Sequence, residues 1–232
     1  MSGVNDAPPN AARAQILAGL KRSLARDQHP LDEPALVKRA SGPQPGLIPA
    51  RARGLDRRGL VALFEAYAKE VATTVAHAAR RDDVPEEVAA YLKGQNLPAE
   101  FVMAPDVLLD AIPWEKRPLL KVKRGTPDGS EAVGVGRAQA GIAETGTLMV
   151  CSGPRSPSTI NFLPETEIVV LPADAVVGAM EDALAQVRRS GTMPRTINFI
   201  TGPSRTGDIE QRIEMGAHGP RRLHIVIIDD IR

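Results

Sequence analysis

The chain has 232 residues and a net charge of +1, and 43% of its residues are apolar and 25% charged. This composition is typical of a globular protein, and the near-zero net charge excludes an overall field that would attract nucleic acid or a membrane surface. The single cysteine, Cys151, excludes an internal disulfide and every cysteine-only zinc or iron–sulfur site, because such sites need about four thiolates.

The segment 1–55 is predicted to be a basic arm rich in proline and glycine. Apolar residues at near-helical spacing predict one helix over residues 11–26. The stretch 28–54 contains many prolines and glycines, so we expect it to be extended. Basic side chains outnumber acidic ones here, which is typical either of a solvated leader or of a docking segment for an acidic partner.

Residues 56–232 are predicted to form one compact domain. An apolar stripe from Leu60 to Val75 predicts a helix, and Asp56 is its expected N-cap. A second helix is expected over residues 84–93, since Pro85 suits a first helical turn and Gly94 can end the helix.

After Pro98, short apolar runs separated by turn residues predict strands that alternate with helices. The runs 168–171 and 225–228 are continuously apolar, as central strands covered on both faces are. The fold class is therefore predicted to be α/β, with a largely parallel sheet flanked by helices. The strands are predicted over 101–103, 119–123, 147–150, 168–171, 196–201 and 223–228, and the helices over 176–189 and 208–214.

A first candidate site lies in the glycine-rich stretch 134–153, which contains Glu144, Thr145, Gly146 and Thr147. Glu144 precedes a predicted strand and can act as a base, a nucleophile or an acceptor for a ligand. It can equally cap a nearby backbone or pair with an arginine such as Arg137. Gly146 permits close backbone approach or a positive φ.

A second candidate site is the turn 201–210, between a predicted strand and a predicted helix. Its glycines would expose backbone N–H groups near a helix N-terminus, which favours anions, and ligands of open α/β sheets sit at the carboxyl ends of strands. Asp208 and Glu210 would fall in the first helical turn and weaken the case for a phosphate there. The candidate ligand-binding residues are Gly202, Ser204, Arg205 and Thr206.

A third candidate site is the stretch 216–220, where His218 lies between small residues and is followed by Gly219. A histidine in such a loop can serve as an acid or a base near neutral pH, although a lone histidine is often structural. His29, His77 and His224 lack this setting and are interpreted as structural or surface residues. No pair of histidines or acids has a recognisable metal spacing, so no metal site is predicted.

The three clusters, in this order, resemble those of the lactate utilization protein C family, the LUD-domain proteins. The matching stretches are 143–147, 202–210 and 216–220, and the resemblance extends over roughly 101–229. It implies the α/β fold shared with sugar-phosphate isomerases and CoA transferases. It also implies a role in a three-protein system that oxidises L-lactate to pyruvate, in which a sister subunit carries cysteine-ligated iron–sulfur clusters.

The resemblance predicts a non-cluster subunit of lactate oxidation that works with iron–sulfur partner subunits and binds a small carboxylated ligand. We expect no cofactor on this chain itself. The alternative is a stand-alone enzyme acting on a small carboxylated or phosphorylated metabolite, with Glu144 and His218 as its acid–base pair in one pocket with Ser204. A regulatory or nucleic-acid-binding role is disfavoured by the near-zero net charge, the scarcity of aromatic residues and the lack of a recognisable binding motif. With neither a signal-peptide pattern nor an apolar run of membrane-spanning length, the sequence predicts a cytoplasmic protein.

Overall fold

The structure, a computed structural model, describes residues 9–24, 32–41, 49–209 and 212–230. The chain divides into two compact units, Met1–Leu47 and Ile48–Arg232. The second unit begins before the expected boundary at Asp56, because Ala52 is already buried in it. Its strands are β1 Thr74–Arg80, β2 Glu100–Met103, β3 Lys121–Arg124, β4 Val133–Arg137, β5 Ala140–Ile142, β6 Thr147–Cys151, β7 Thr166–Pro172, β8 Val176–Val177, β9 Ile197–Ile200, β10 Arg205–Ile209, β11 Arg212–Met215 and β12 Arg222–Asp230. The α-helices are α1 Pro9–Ser23, α2 Glu33–Ser41, α3 Arg57–Glu70, α4 Val84–Gly94, α5 Val107–Asp110 and α6 Met180–Arg189.

In the part of the first unit that the structure describes, residues 9–24 and 32–41, there are two helices where the sequence predicted one. Helix α1 agrees with the expected helix, but α2 lies inside the stretch that was predicted to be extended. The side chain of Asp32 accepts a hydrogen bond from the backbone N–H of Ala35 at 3.1 Å and so caps α2. Pro34 falls in the first helical turn, where the missing N–H costs nothing. The proline count therefore misled the prediction.

The main sheet has six strands in the order β1-β12-β7-β4-β2-β3, and all their pairings are parallel. Strand β7 is buried along its whole length, and six consecutive residues of β12 are buried. These are the two strands that continuous apolar sequence predicted to be central. The basic, alternating strand β3 forms one edge. The predicted α/β class with a largely parallel sheet is confirmed.

Both faces of the main sheet are covered. One face packs against helices, and the other packs against helix α3 and a second sheet. On the first face, α4 and α5 pack on side chains such as Ile168 and Val226. On the second face, α3 packs with the alternate side chains, including Val169 and Ile227, together with residues of β6. The second sheet has the order β8-β5-β6-β9 and is mostly antiparallel, and α6 packs on its far side. The sequence did not predict this second sheet.

Helix α3 begins as predicted, with Asp56 as its N-cap. The Asp56 carboxylate accepts a hydrogen bond from the N–H of Gly59 at 2.8 Å. We expect Asp56→Ala to lower the free energy of unfolding by about 1 kcal/mol, because this N–H loses its partner. Asp56→Asn retains an acceptor and should cost less. Urea denaturation of the two variants measures the difference, and equal losses would show that the cap is not the cause.

Two predicted helices are wrong in part, and two strands were not predicted. Val75, which was assigned to the stripe of α3, lies instead in β1, because the chain turns at Ala72 with a φ of 63°. Helix α6 starts at Met180, and the residues Val176–Val177 before it pair with β5 as β8. Strands β4 and β5 were missed, because their many small residues read as a loop.

The predicted helix over residues 208–214 is also wrong. The structure has an antiparallel hairpin there, in which β10 pairs with β11 and Thr206 lies opposite Glu214. Asp208 therefore lies in a strand and not in a first helical turn, and Glu210 lies outside the described residues. The expected helix N-terminus near the turn 201–205 does not exist, so the anion-binding argument built on it fails.

Candidate functional site

The second and third candidate clusters come together in the folded chain through the backbone of Ser204. Its N–H donates to the carbonyl of Pro220 at 2.8 Å, and its carbonyl accepts from the N–H of Gly216 at 3.0 Å. The hydroxyl oxygen of Ser204 accepts from the N–H of His218 at 3.2 Å. Ser204 and His218, which were predicted to lie in one pocket with Glu144, are thus neighbours on one surface.

A cleft of about 390 Å³ opens beside this junction, a volume suited to a small ligand. This depression, the Ser204 cleft, has aromatic walls from the partly exposed Phe162 and Phe199. Its charged or titratable lining groups are Arg205 and His218, and no acidic side chain is among its described lining residues. The positive charge of Arg205 in this lining favours an anionic ligand. The lining residues are Val71, Asn161, Phe162, Phe199, Ile200, Thr201, Gly202, Pro203, Ser204, Arg205, His218, Gly219 and Pro220.

The Ser204 cleft lies at the amino ends of two central strands of the main sheet. Asn161 precedes β7, and Pro220 lies two residues before the start of β12 at Arg222. The cleft also adjoins the carboxyl end of β9, which belongs to the second sheet. Ligand sites of open parallel sheets are expected at the carboxyl ends of the strands. The Ser204 cleft differs, because it lies where the second sheet meets the amino ends of the main-sheet strands.

The floor of the Ser204 cleft contains a polar pair that the sequence reasoning missed. Asn161 is 1% exposed and donates from Nδ2 to Oε1 of Glu167, which is fully buried in β7. Burial raises the pKa of Glu167 to about 8, and the hydrogen bond from Asn161 offsets only part of this rise. The sequence could have indicated this pair, because Glu167 lies directly before a continuously apolar run. The predicted strand began at Ile168, so Glu167 was left outside it.

Glu144 does not line the Ser204 cleft. Its side chain is 6% exposed, and its Oε1 accepts from the N–H of Met180 at 3.2 Å, in the first turn of α6. A carboxylate at this position stabilises the helix N-terminus. The backbone carbonyl of Glu144 accepts a hydrogen bond from the guanidinium of Arg51 at 3.2 Å. Arg137, the other partner considered for Glu144, instead lies 3.6 Å from a carboxylate oxygen of Asp106. The capping interpretation of Glu144 therefore has geometric support, and the pairing of Glu144 with His218 in one pocket does not.

The turn after Glu144 is tied to the Ser204 cleft by a chain of hydroxyl groups. Oγ1 of Thr145 lies 2.7 Å from Oγ1 of Thr147, which lies 2.8 Å from Oγ1 of Thr201. Thr201 lines the cleft, but Thr145 and Thr147 do not. Thr147 is buried and holds the turn in place behind the cleft, whereas Thr145 is exposed.

The two predicted glycines of these turns lie against the C-terminal half of α3. Gly146 has a φ of 64°, and a Cβ there would lie 2.3 Å from the backbone nitrogen of Ala68. Gly202 has a φ of 78°, and a Cβ there would lie 2.5 Å from the carbonyl oxygen of Val71. Both positions exclude any side chain, because the helix backbone occupies the space. Gly202 also lines the cleft.

The remaining predicted site residues lie on or next to the cleft. Arg205 is exposed at the start of β10, and Gly219 lies close to the Ser204 side chain. Thr206 is buried in β10 and is not among the lining residues of the cleft. Arg205 and Gly219 thus line the cleft with Ser204, whereas Thr206 is a buried residue of the β10–β11 hairpin.

The other histidines have structural surroundings. His224 is buried, stacks on Tyr91 with 3.8 Å between ring centroids, and lies 2.8 Å from Oγ1 of Thr74. Burial lowers its pKa to about 4, against a smaller opposite effect of Thr74. His77 lies between Glu65 and Asp229; burial lowers its pKa, but these two carboxylates outweigh that effect and raise it overall. His29 lies outside the described residues.

The described residues contain neither a metal-binding cluster nor a helix suited to a membrane. Within the described ranges, no group of three or more His, Cys, Asp or Glu residues is placed to hold a metal ion. No α-helix in the same ranges combines the length and the apolar character that crossing a membrane requires. Cys151 is half-buried, and burial raises the pKa of its thiol, which disfavours the thiolate that a metal needs.

Comparisons with known proteins agree with this fold. Residues 61–228 match the LUD domain family model. Lactate utilization protein C of Geobacillus kaustophilus is 38% identical over 109 residues, which cover 44% of this chain and 45% of that protein. The same-named protein of Geobacillus thermodenitrificans is 37% identical over 102 residues, 42% of each chain. The alignments thus span less than half of these relatives.

A solved structure with a similar fold is that of a DUF162 family protein from Deinococcus radiodurans. The TM-score is 0.57, with 22% sequence identity, over 75% of this chain and 99% of the other. At this identity, the likeness concerns the fold alone.

Proposed function

Because the chain belongs to the LUD domain family, we propose that it takes part in lactate utilization, as a subunit of an L-lactate oxidation system that carries no iron–sulfur cluster itself. The observation that carries this proposal is the family match over residues 61–228, together with relatives that bear the name lactate utilization protein C. The fold by itself would leave the function open, since one fold serves many activities.

The Ser204 cleft supports the binding of a small carboxylated ligand. Arg205 can pair with a carboxylate, and Ser204 can donate its hydroxyl hydrogen while its oxygen accepts from His218. The aromatic walls suit the hydrocarbon part of such a ligand. Lactate and pyruvate both have this combination of a carboxylate and a small apolar end.

The electrons from lactate would pass to partner subunits that hold iron–sulfur clusters. The one thiol of this chain cannot ligate a cluster alone, so the redox centres belong to other chains of the system, in the cytoplasm. This division of labour predicts that the isolated chain does not oxidise lactate.

The alternative function, a stand-alone enzyme with Glu144 and His218 as its acid–base pair, loses its geometric basis. The Glu144 carboxylate accepts from the N-terminus of α6, and the residue is absent from the lining of the cleft that contains His218. A general base must lie within hydrogen-bonding reach of the reacting group.

The first test is L-lactate oxidation, followed with an artificial electron acceptor, by the two iron–sulfur partner subunits with and without this chain. We expect activity only when this chain is present, and none from this chain alone. Equal activity of the partners without it would contradict the proposal. A metabolite screen of the purified chain would then test for independent turnover.

Within the reconstituted system, we expect Arg205→Gln to raise the lactate concentration needed for half-maximal rate by about tenfold or more, because a charge-assisted hydrogen bond to the carboxylate is lost. The matched control is Arg155→Gln, which removes an exposed arginine that does not line the cleft. The two variants have the same change in charge, so equal effects would show that the Ser204 cleft is not where lactate binds.

A further inference from the structure

The floor of the Ser204 cleft offers a hydrogen-bond acceptor that no described residue satisfies. Asn161 ends a 3₁₀ turn, Ser158–Asn161, and lines the cleft although it is 1% exposed. Its Nδ2 donates to Glu167, whereas its Oδ1 is buried and has no hydrogen-bond partner in the described part of the chain. Buried acceptors are normally paired, so an unpaired one on a residue that lines a cleft is a candidate partner for a ligand group.

Glu167 determines which end of the Asn161 amide is available. Its Oε1 accepts from Nδ2, and the rest of the carboxyl is enclosed in the core, where Oε2 has no described partner. A carboxyl oxygen accepts in this way in both protonation states, with any proton held on the other oxygen. In the structure, Glu167 occupies the amino end of the amide, and the carbonyl end is left for a ligand.

An amide oxygen accepts a hydrogen bond and so needs a donor on the ligand. This requirement distinguishes a small 2-hydroxy acid from the 2-oxo acid that its oxidation produces. A 2-hydroxycarboxylate has a hydroxyl that donates. The corresponding 2-oxocarboxylate has only acceptors at that carbon, so its ketone oxygen would face the oxygen of Asn161 without a hydrogen bond. The carboxylate of either compound can lie toward Arg205 and Ser204.

We propose that the Ser204 cleft binds a 2-hydroxycarboxylate in preference to its 2-oxocarboxylate, with Oδ1 of Asn161 accepting the ligand hydroxyl and Glu167 acting as the positioning residue that orients the amide. The inference rests on the proposed function, which makes L-lactate and pyruvate the pair to compare. It assigns to this chain the discrimination between the substrate and the product of the oxidation.

The first test needs no variant. Isothermal titration calorimetry of the full chain compares the binding of L-lactate, pyruvate and propionate. The three acids have the same carbon skeleton, but carbon 2 carries a hydroxyl in L-lactate, a ketone in pyruvate and no oxygen in propionate. We expect L-lactate to bind at least about tenfold more tightly than both other acids. Pyruvate binding as tightly as L-lactate would overturn the inference, and so would binding of none of the three acids.

The second test removes the acceptor. We expect Asn161→Leu to weaken L-lactate binding about tenfold and to change pyruvate binding by less than about twofold, which abolishes the preference. Arg205→Gln is the matched control, because it should weaken both acids alike. Asn161→Leu that is folded by circular dichroism and still prefers L-lactate would overturn the inference.

The role of Glu167 is tested by the conservative variant. Glu167→Gln keeps a carbonyl oxygen next to Nδ2 of Asn161, so the preference for L-lactate should be retained, whereas Glu167→Leu removes the acceptor and should lose it. Loss of the preference in folded Glu167→Gln would overturn the positioning role. The reconstitution assay reports separately on lactate oxidation, so a chain that is required for oxidation but shows no such preference would overturn only this inference.

Discussion

Gly146→Ala is expected to lower the free energy of unfolding by about 3 kcal/mol or more, the largest loss predicted for a single methyl group in this chain. The added Cβ would lie 2.3 Å from the backbone nitrogen of Ala68 and 2.6 Å from the carbonyl carbon of Tyr67. These are helix backbone atoms, so neither can move without displacing α3. A positive φ of 64° adds its own cost for any residue with a side chain.

The matched control is Gly191→Ala. Gly191 has a similar φ of 71°, but nothing lies within 4 Å of the position of its Cβ. This variant should lose only the backbone contribution, about 1 kcal/mol. Urea denaturation of both variants separates the steric cost from the backbone cost. Equal losses would show that close packing on α3 is not what the glycine of the turn 143–147 provides.

Glu167→Gln is expected to make the protein more stable than the wild type at pH 8, by an amount on the order of 4 kcal/mol. The pKa of Glu167 is raised from its ordinary value of 4.5 to about 8 in the folded state, chiefly by burial. Below pH 4.5 the carboxyl is protonated in both states and costs nothing. Between pH 4.5 and 8 the unfolded chain ionises while the folded chain holds the proton, so the stability of the wild type falls as the pH rises.

The measurement is the free energy of unfolding of both proteins at several pH values from about 4 to about 9.5, which extend past both pKa values. The gap between them should widen with pH and become constant above pH 8. Glu165→Gln is the control, because this neighbouring carboxyl is exposed and meets water in both states. If the wild type and Glu167→Gln gave parallel curves, Glu167 would not be held in its protonated form.

The position of Glu144 shows how far a motif can be interpreted. The stretch 143–147 was one of three that together indicated the family, but its acid caps α6 and its glycine accommodates α3. A motif can thus identify a family through residues whose contacts are structural, because close packing restricts sequence as strongly as ligand binding does. The cleft residues Ser204 and His218 carry the candidate chemistry instead.

The sequence by itself determined the features that depend on short-range patterns. Continuous apolar runs identified β7 and β12 as central strands, and an acid before an apolar stripe identified Asp56 as the N-cap of α3. These features could be predicted because burial on two faces and helix capping each produce a sequence pattern that spans only a few residues. The same locality misled the prediction for residues 208–214, where pairing between β10 and β11 outweighed a charge pattern typical of a helix start.

Only the tertiary structure decided which candidate residues meet. It joined the Ser204 turn to the His218 loop, placed Asn161 beneath them and separated Glu144 from the cleft. It also buried Glu167, whose raised pKa arises from surroundings contributed by distant parts of the chain. Contacts of this kind link positions tens of residues apart, and their chemistry depends on how completely other elements exclude water. Neither the pairing nor the burial leaves a periodic signal in the sequence.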